Sequence, residues 1–316
     1  MPKLVEKIIG HVSQQEQLQE DIQSENVSHA YLFSGPRHLG KLSIALRYAR
    51  ELLSADVSSI EKLTHPDLYM LDQLWMEEVC EDWDQIAKTS NIIQTHRSKA
   101  PKAKTDIISI DDIRSLQDRL VETGTGKYRC CIIRSVERMK DAAANAFLKI
   151  LEEPPKGLVF LLTTQAQESL LPTIVSRTRV VPFRRVAPKD VRIILEGVSE
   201  DDVKFILHIA RGALGIAVAL RDDPDLLRLH RTIHGTAQSF WRSQSAAERM
   251  QILSVISKRG EEAEDLLLHI GLALRLQPDR VLEAKAPAYH RLMEGLQTNA
   301  HRQLLVQRFA LEVDRG

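Results

Sequence analysis

The chain has 316 residues, enough for about two domains at roughly 150 residues each, with room for three small ones. Its 43 Lys and Arg balance its 43 Asp and Glu, so any contact with nucleic acid must rest on local patches and not on the basic excess of a DNA-coating protein. Hydrophobic residues at 43% and charged residues at 27% make an ordinary globular mixture, which excludes a disordered or collagen-like chain.

Apolar runs such as residues 158–163 fall far short of the roughly 18 residues that cross a bilayer, and the opening MPKLVEKIIG has no apolar secretory core. A cytoplasmic protein without membrane association is expected. Of the three cysteines, Cys130 and Cys131 are adjacent in an apolar run and Cys80 stands apart. That pattern excludes a disulfide framework and a four-cysteine zinc site, and predicts buried thiols in a reducing compartment.

Through the first 185 residues, short apolar runs alternate with helical periodicity. AYLFS (30–34), LYML (68–71), IIS (107–109), YRCCII (128–133), LVFLLT (158–163) and RVVPF (179–183) read as strands. Between them, residues 41–53, 110–121 and 141–152 carry apolar residues three and four apart, and the last stretch stops before Pro154 and Pro155 as a helix must. Its residues Ala142, Phe147 and Leu151 are expected to face the sheet. Strands alternating with helices imply a parallel sheet between helical layers.

Residues 74–104 break this rhythm with an acidic stretch followed by a basic, proline-containing one, and read as an insertion ending in a solvated loop. After Val186 the strand-like runs end. Residues 188–316 are helical throughout, with breaks expected at Gly212, Gly215, residues 222–224 and Gly260. The expected domains are therefore an α/β unit at 1–184, a small helical lid at 185–225 and an all-α domain at 226–316.

The strand AYLFS leads into Gly35-Pro36-Arg37-His38-Leu39-Gly40-Lys41-Leu42-Ser43, the strand–turn–helix setting of a phosphate-binding P-loop. Backbone N–H groups at such a helix start hold an anion, with Lys41 as counter-charge. The position normally held by Ser or Thr is Leu42, so the hydroxyl that coordinates Mg²⁺ is missing, and Ser43 lies about 100° further around the helix. The strand expected to supply acidic residues runs instead into Arg134-Ser135-Val136-Glu137, and a cation beside the metal position repels Mg²⁺. No metal site is expected. An ordinary strand-to-helix turn would have the same spacing, so the motif alone leaves both readings open.

Longer stretches are more specific. Ser28 to Pro36 (SHAYLFSGP), His65-Pro66-Asp67-Leu68, Asn145 to Pro155 (NAFLKILEEPP) and Leu171 to Arg179 (LPTIVSRTR) resemble, in order and spacing, bacterial clamp-loader subunits of the AAA+ class. Among these they are most similar to the delta-prime group of DNA polymerase III subunits, which typically do not hydrolyse ATP. The resemblance covers residues 1 to about 185 well, 186–225 moderately, and the remainder only as a helical domain.

The resemblance implies a RecA-like α/β domain, a helical lid and a collar domain that holds five subunits together. It implies that Ser176-Arg177-Thr178 matches the family's Ser-Arg-Cys motif, whose arginine reaches the ATP of the adjacent subunit; here Thr178 replaces the cysteine. Ser176 and Arg177 are thus the candidate catalytic residues, acting in trans. Gly35, Gly40 and Lys41 remain at most an anion or nucleotide site without hydrolysis, and no cofactor is expected. Many members carry a four-cysteine zinc module that residues 49–64 lack. The lid arginine of hydrolysing paralogues is matched by Gly215, with Arg211 four residues earlier, while Thr163 and Thr164 keep the polar strand end that senses phosphate.

The function implied is a non-hydrolysing stator of a clamp loader. Its partners would be gamma/tau-type motor subunits and delta in a pentamer, a sliding clamp, and primer-template DNA through the assembly. Arg114 and Arg119, on the helix after IIS, are candidates for DNA contact, against the alternative of solvated surface charges. Two alternatives stay open: a divergent ATPase using Ser43 and Glu137, and an AAA-like scaffold in DNA repair.

Overall fold

The computed structural model describes residues 8–71, 107–121 and 124–313; Cys80 and the expected 74–104 insertion lie outside them. The chain divides into two compact units, Met1–Ala217 and Val218–Gly316.

The first unit contains α1 (Val12–Gln23), β1 (Ala30–Ser34), α2 (Lys41–Leu53), α3 (Val57–Glu61), β2 (Leu68–Leu71), α4 (Ile110–Leu120), β3 (Arg129–Ile133), α5 (Asp141–Glu152), β4 (Leu158–Thr164), α6 (Pro172–Val175), β5 (Arg179–Pro182), α7 (Pro188–Ile194) and α8 (Glu200–Ala210), and its last residues open α9 (Leu214–Asp222). The strands form one parallel sheet in the order β2-β3-β4-β1-β5. Side chains alternate between two cores, as the two-residue period of a strand requires. Tyr31, Phe33, Cys130 and Ile132 join Leu18 of α1 and Ile44 and Tyr48 of α2 on one face. Ala30, Leu32, Cys131 and Ile133 join Ile113 of α4 and Phe147 and Leu151 of α5 on the other. Burial on both faces is why these strands read as continuous apolar runs. The adjacent cysteines enter opposite cores, where burial raises both thiol pKa values well above the usual range.

A parallel sheet between helices followed by helical segments is the fold class expected from the sequence. Three local expectations are corrected. The run 107–109 forms no strand: Ile108 makes one isolated parallel bridge to Met139. Ser109 already caps α4 through a reciprocal capping box with Asp112, which leaves no length for a ladder. On α5 the buried positions are Ala143, Ala144, Phe147, Ile150 and Leu151, and Ala142 is exposed, being one position, about 100°, off the apolar stripe. Gly215 is no break but lies in the first turn of α9; the break before it is Gly212, in the left-handed region at φ 82°.

In the second unit the described residues are all helical or connecting: the end of α9, then α10 (Pro224–Arg242), α11 (Ala246–Leu253), α12 (Glu261–Leu274), α13 (Asp279–Leu296) and α14 (Arg302–Glu312). Asp223 caps α10 by accepting from the N–H groups of Asp225 and Leu226, with Pro224 at the first helical position. Phe240 stacks on Phe309 with ring centres 5.4 Å apart. Arg249 is buried and donates from Nε to the Ala310 carbonyl at 3.0 Å and from Nη1 to the Ser243 carbonyl at 2.9 Å, tying α11 to α14 and to the end of α10. The unit boundary falls inside α9, and the expected 225/226 boundary falls in the first turn of α10.

Candidate functional site

Loop 35–40 leaves the carboxyl end of β1, between β4 and β5, the end of a parallel sheet where ligands characteristically bind. Gly35 is required there: a Cβ would lie 2.3 Å from the Phe183 carbonyl oxygen. Gly40, at φ 85°, turns the chain into α2. The loop is tied down on several sides. The Gly35 N–H donates to the Thr164 carbonyl at 3.2 Å, Arg37 Nε donates to Gln165 Oε1 at 2.6 Å, and His11 Nε2 donates to the Leu39 carbonyl at 3.0 Å. Burial lowers the His11 pKa; the bond to Leu39 opposes that shift and the charge of Lys41 adds to it.

The ammonium of Lys41 turns into its own loop. Nζ donates to the carbonyls of Gly35 and Pro36, each at 2.5 Å, and the residue is 8% exposed. Burial lowers its pKa to about 8; Glu137 opposes the shift, while Arg134 and Arg37 add to it. Leu42 packs against the core shared by α1 and α2. The residues present therefore do not fit Mg²⁺: an aliphatic side chain stands where the metal hydroxyl should be, and the nearby charges include two arginines besides Lys41. Glu137 accepts from the Gln165 N–H at 3.4 Å. Among the described residues no group of three His, Cys, Asp or Glu is placed to hold a metal ion.

The strand-end threonines are occupied with backbone. Thr163 Oγ1 accepts from the N–H of Ser135 at 3.0 Å, and Thr164 Oγ1 from that of Ala166 at 3.2 Å. Gly215 sits directly on the loop, its N–H donating to the His38 carbonyl at 2.8 Å. Arg211 is the left-handed cap that ends α8, and its carbonyl accepts from Arg185 Nη1 at 2.9 Å.

Arg177 lies elsewhere, just past the four-residue α6, which Pro172 opens. Its N–H donates to the Ile174 carbonyl at 3.1 Å. Nη1 donates to the Thr173 carbonyl at 3.1 Å, and Nη2 pairs with Glu152 Oε1 at 2.9 Å. Ser176 is exposed and turns its hydroxyl back to the Thr173 carbonyl. The fold thus gathers Gly35, Gly40 and Lys41 at one place and Ser176 with Arg177 at another. Of the candidate DNA contacts, Arg114 pairs with Asp111 at 3.2 Å on the surface, and Arg119 lies over the Tyr69 ring, 5.9 Å from its centre. Sequence reasoning missed His11, Gln165 and Glu152, whose partners lie 28, 128 and 25 positions away. The Glu-Glu-Pro-Pro stretch marked the neighbourhood of Glu152 without indicating its pairing.

Comparison with known proteins gives a consistent set. The family model described as "DNA polymerase III, delta subunit" matches residues 10–187. The chain is 32% identical over 221 residues to a DNA polymerase III gamma/tau subunit of Mycobacterium tuberculosis, covering 67% of this chain and 35% of that one. It is 26% identical over 237 residues to a DNA polymerase III delta' subunit of Bacillus subtilis, covering 69% and 63%. It therefore spans about a third of the length of the gamma/tau relative. A crystal structure of a gamma subunit-related protein from Thermotoga maritima superposes with a TM-score of 0.50 at 18% identity, covering 96% of this chain and 99% of that one, a likeness of fold. Among the described residues no helix is long and apolar enough to cross a membrane.

Proposed function

Because the chain belongs to the DNA polymerase III clamp-loader subunit family, we propose that it is a delta-prime-type stator, which hydrolyses no ATP itself and completes the ATP site of an adjacent motor subunit with Arg177. One observation carries this reading. Lys41, the P-loop cation, is engaged by Gly35 and Pro36 within its own loop, beside Leu42 and Arg134, whereas Arg177 sits with Glu152 and Thr173. The chain's own loop is poorly suited to turnover, and its arginine is held away from that loop.

In the proposed mechanism, negative charge spreads over the γ-phosphate oxygens of the neighbour's ATP as the bond to the leaving group breaks. A planar, permanently charged guanidinium arriving from the next protomer stabilises that charge. In GTPases an arginine finger is worth about 10³ to 10⁵ in rate, roughly 4 to 7 kcal/mol of barrier. Backbone bonds of α6 fix the base of the side chain, so the guanidinium has only its own torsions to reset on reaching the neighbour. Ser176, bonded to the Thr173 carbonyl, holds the turn that presents Arg177.

The partners in this reading are gamma/tau-type motor subunits, a delta subunit, the sliding clamp, and primer-template DNA reached through the assembly. DNA contacts made to the backbone would be salt-sensitive. The division into an α/β domain, a lid and a collar belongs to the same reading, as does a loop that holds at most an anion or nucleotide without hydrolysis.

An assay of the isolated chain tests the proposal. No Mg²⁺-dependent ATP turnover above background is expected, and Lys41→Ala should change nothing. Robust hydrolysis abolished by Lys41→Ala would favour the divergent ATPase. Copurification with the sliding clamp and motor subunits is expected, and a stable pentamer lacking them would favour a scaffold outside replication.

A further inference from the structure

We propose that Glu152 is a positioning residue that parks Arg177 within its own chain and thereby sets how readily the guanidinium passes to an adjacent protomer's nucleotide. This rests on the reading of Arg177 as a trans arginine.

Glu152 is the last residue of α5. A carboxylate there faces the negative end of the helix dipole, where a basic residue is favoured, so its place has no advantage for the helix. What it meets instead is Arg177: Oε1 lies 2.9 Å from Nη2, with the two side chains 51% and 35% exposed. The Thr173 carbonyl takes Nη1 from the same side at 3.1 Å. These two acceptors use two of the five N–H groups of the fork and hold the guanidinium against its own subunit. The two acceptors sit on fixed elements: α5 ends at Glu152, just before Pro154 and Pro155, and the four-residue α6 is pinned by Pro172 and by the backbone bonds of Ser176 and Arg177.

A guanidinium paired with a carboxylate is partly neutralised toward any other anion. To engage a neighbour's triphosphate, Arg177 must exchange an acceptor of one negative charge for one of several. The exchange is favourable, but the pair with Glu152 subtracts from it. Exposed pairs of this kind are worth about 0.2 to 1 kcal/mol, which corresponds to an affinity change of roughly 1.4- to 5-fold. Glu152 thus tunes the finger without competing seriously against bound ATP, and favours the parked position when the adjacent site holds no triphosphate. The effect acts on the ground state and transition state alike, so it belongs in KM and not in kcat.

The test uses a reconstituted assembly containing the full chain, in which only the motor subunit beside it retains an active P-loop. ATP titrations compare wild type, Glu152→Gln, Glu152→Asp, Arg177→Ala and the Glu152→Gln/Arg177→Ala pair. Glu152→Gln is expected to lower KM for ATP about 1.4- to 5-fold with kcat unchanged, and the shift should shrink at high salt. Glu152→Asp, which keeps the charge, should return KM most of the way to wild type. In the Arg177→Ala background Glu152→Gln should have no effect. An unchanged or raised KM in Glu152→Gln, or a shift that persists without Arg177, overturns the proposal while leaving the trans arginine standing. Unchanged turnover in Arg177→Ala overturns both.

Discussion

The backbone N–H of Gly215 donates to the carbonyl of His38 across 2.8 Å, so the first turn of α9 rests directly on loop 35–40. A Cβ at 215 would stand 3.1 Å from the His38 carbonyl oxygen and 3.2 Å from its Cβ, closer than ordinary van der Waals contact. Glycine is therefore suited to this position by close approach, not by an unusual backbone angle. Gly215→Arg is expected to push α9 off the loop, at a cost of about 1 to 3 kcal/mol, and to confer no ATP hydrolysis. Hydrogen exchange checks it: the amide of residue 215 should lose protection in the variant. Retained protection would mean the contact tolerates a side chain.

Lys41 gives a pH signature. Burial sets its pKa at about 8, below the 10.4 of a solvated lysine. In the interval between these values the unfolded chain binds the extra proton, so stability rises with pH on this residue's account. Below pH 8 the full cost of a buried ammonium is present, up to about 3 kcal/mol. Lys41→Met should be relatively more stable than wild type at pH 7.5 and lose that advantage by pH 10.5, as read from denaturant midpoints at each pH. Parallel pH profiles would show that the two loop carbonyls fully offset the burial.

The His-Pro-Asp segment has a structural role that can be measured. Asp67 is 2% exposed, and its carboxylate accepts from the N–H groups of Thr125 and Gly126 and from the Thr125 hydroxyl. It fastens the turn that leads into β3. Asp67→Ala leaves those donors unmatched and should cost about 1 to 3 kcal/mol, with faster amide exchange at Thr125 and Gly126. Asp67→Asn, which keeps one acceptor oxygen, should lose less. Equal exchange in wild type and Asp67→Ala would remove this role.

The legible and illegible parts of the molecule differ in a physical way. Strand β1 and helices α2 and α5 were readable to the residue because two-sided burial, helical periodicity and paired prolines leave local marks. Leu42 and Arg134 were readable as departures from a motif. The run 107–109 misled because an apolar triplet carries no information about Ser109 already capping the next helix. Ala142 misled because alanine marks no face by itself. The Gly215–His38, His11–Leu39 and Glu152–Arg177 contacts were not readable, since each joins residues distant in sequence whose types are common on any surface. What the sequence recorded was which chemical groups are present; which of them are held away from the loop is a property of the fold.

The central claim is that this chain gives a catalytic group and does not use one. Its most direct test is single-turnover ATP hydrolysis by the adjacent motor subunit, measured in an assembly reconstituted with wild-type chain or with Arg177→Ala. Arg177→Ala should leave ATP bound and slow hydrolysis at that site about tenfold or more. Hydrolysis at the wild-type rate would contradict the account.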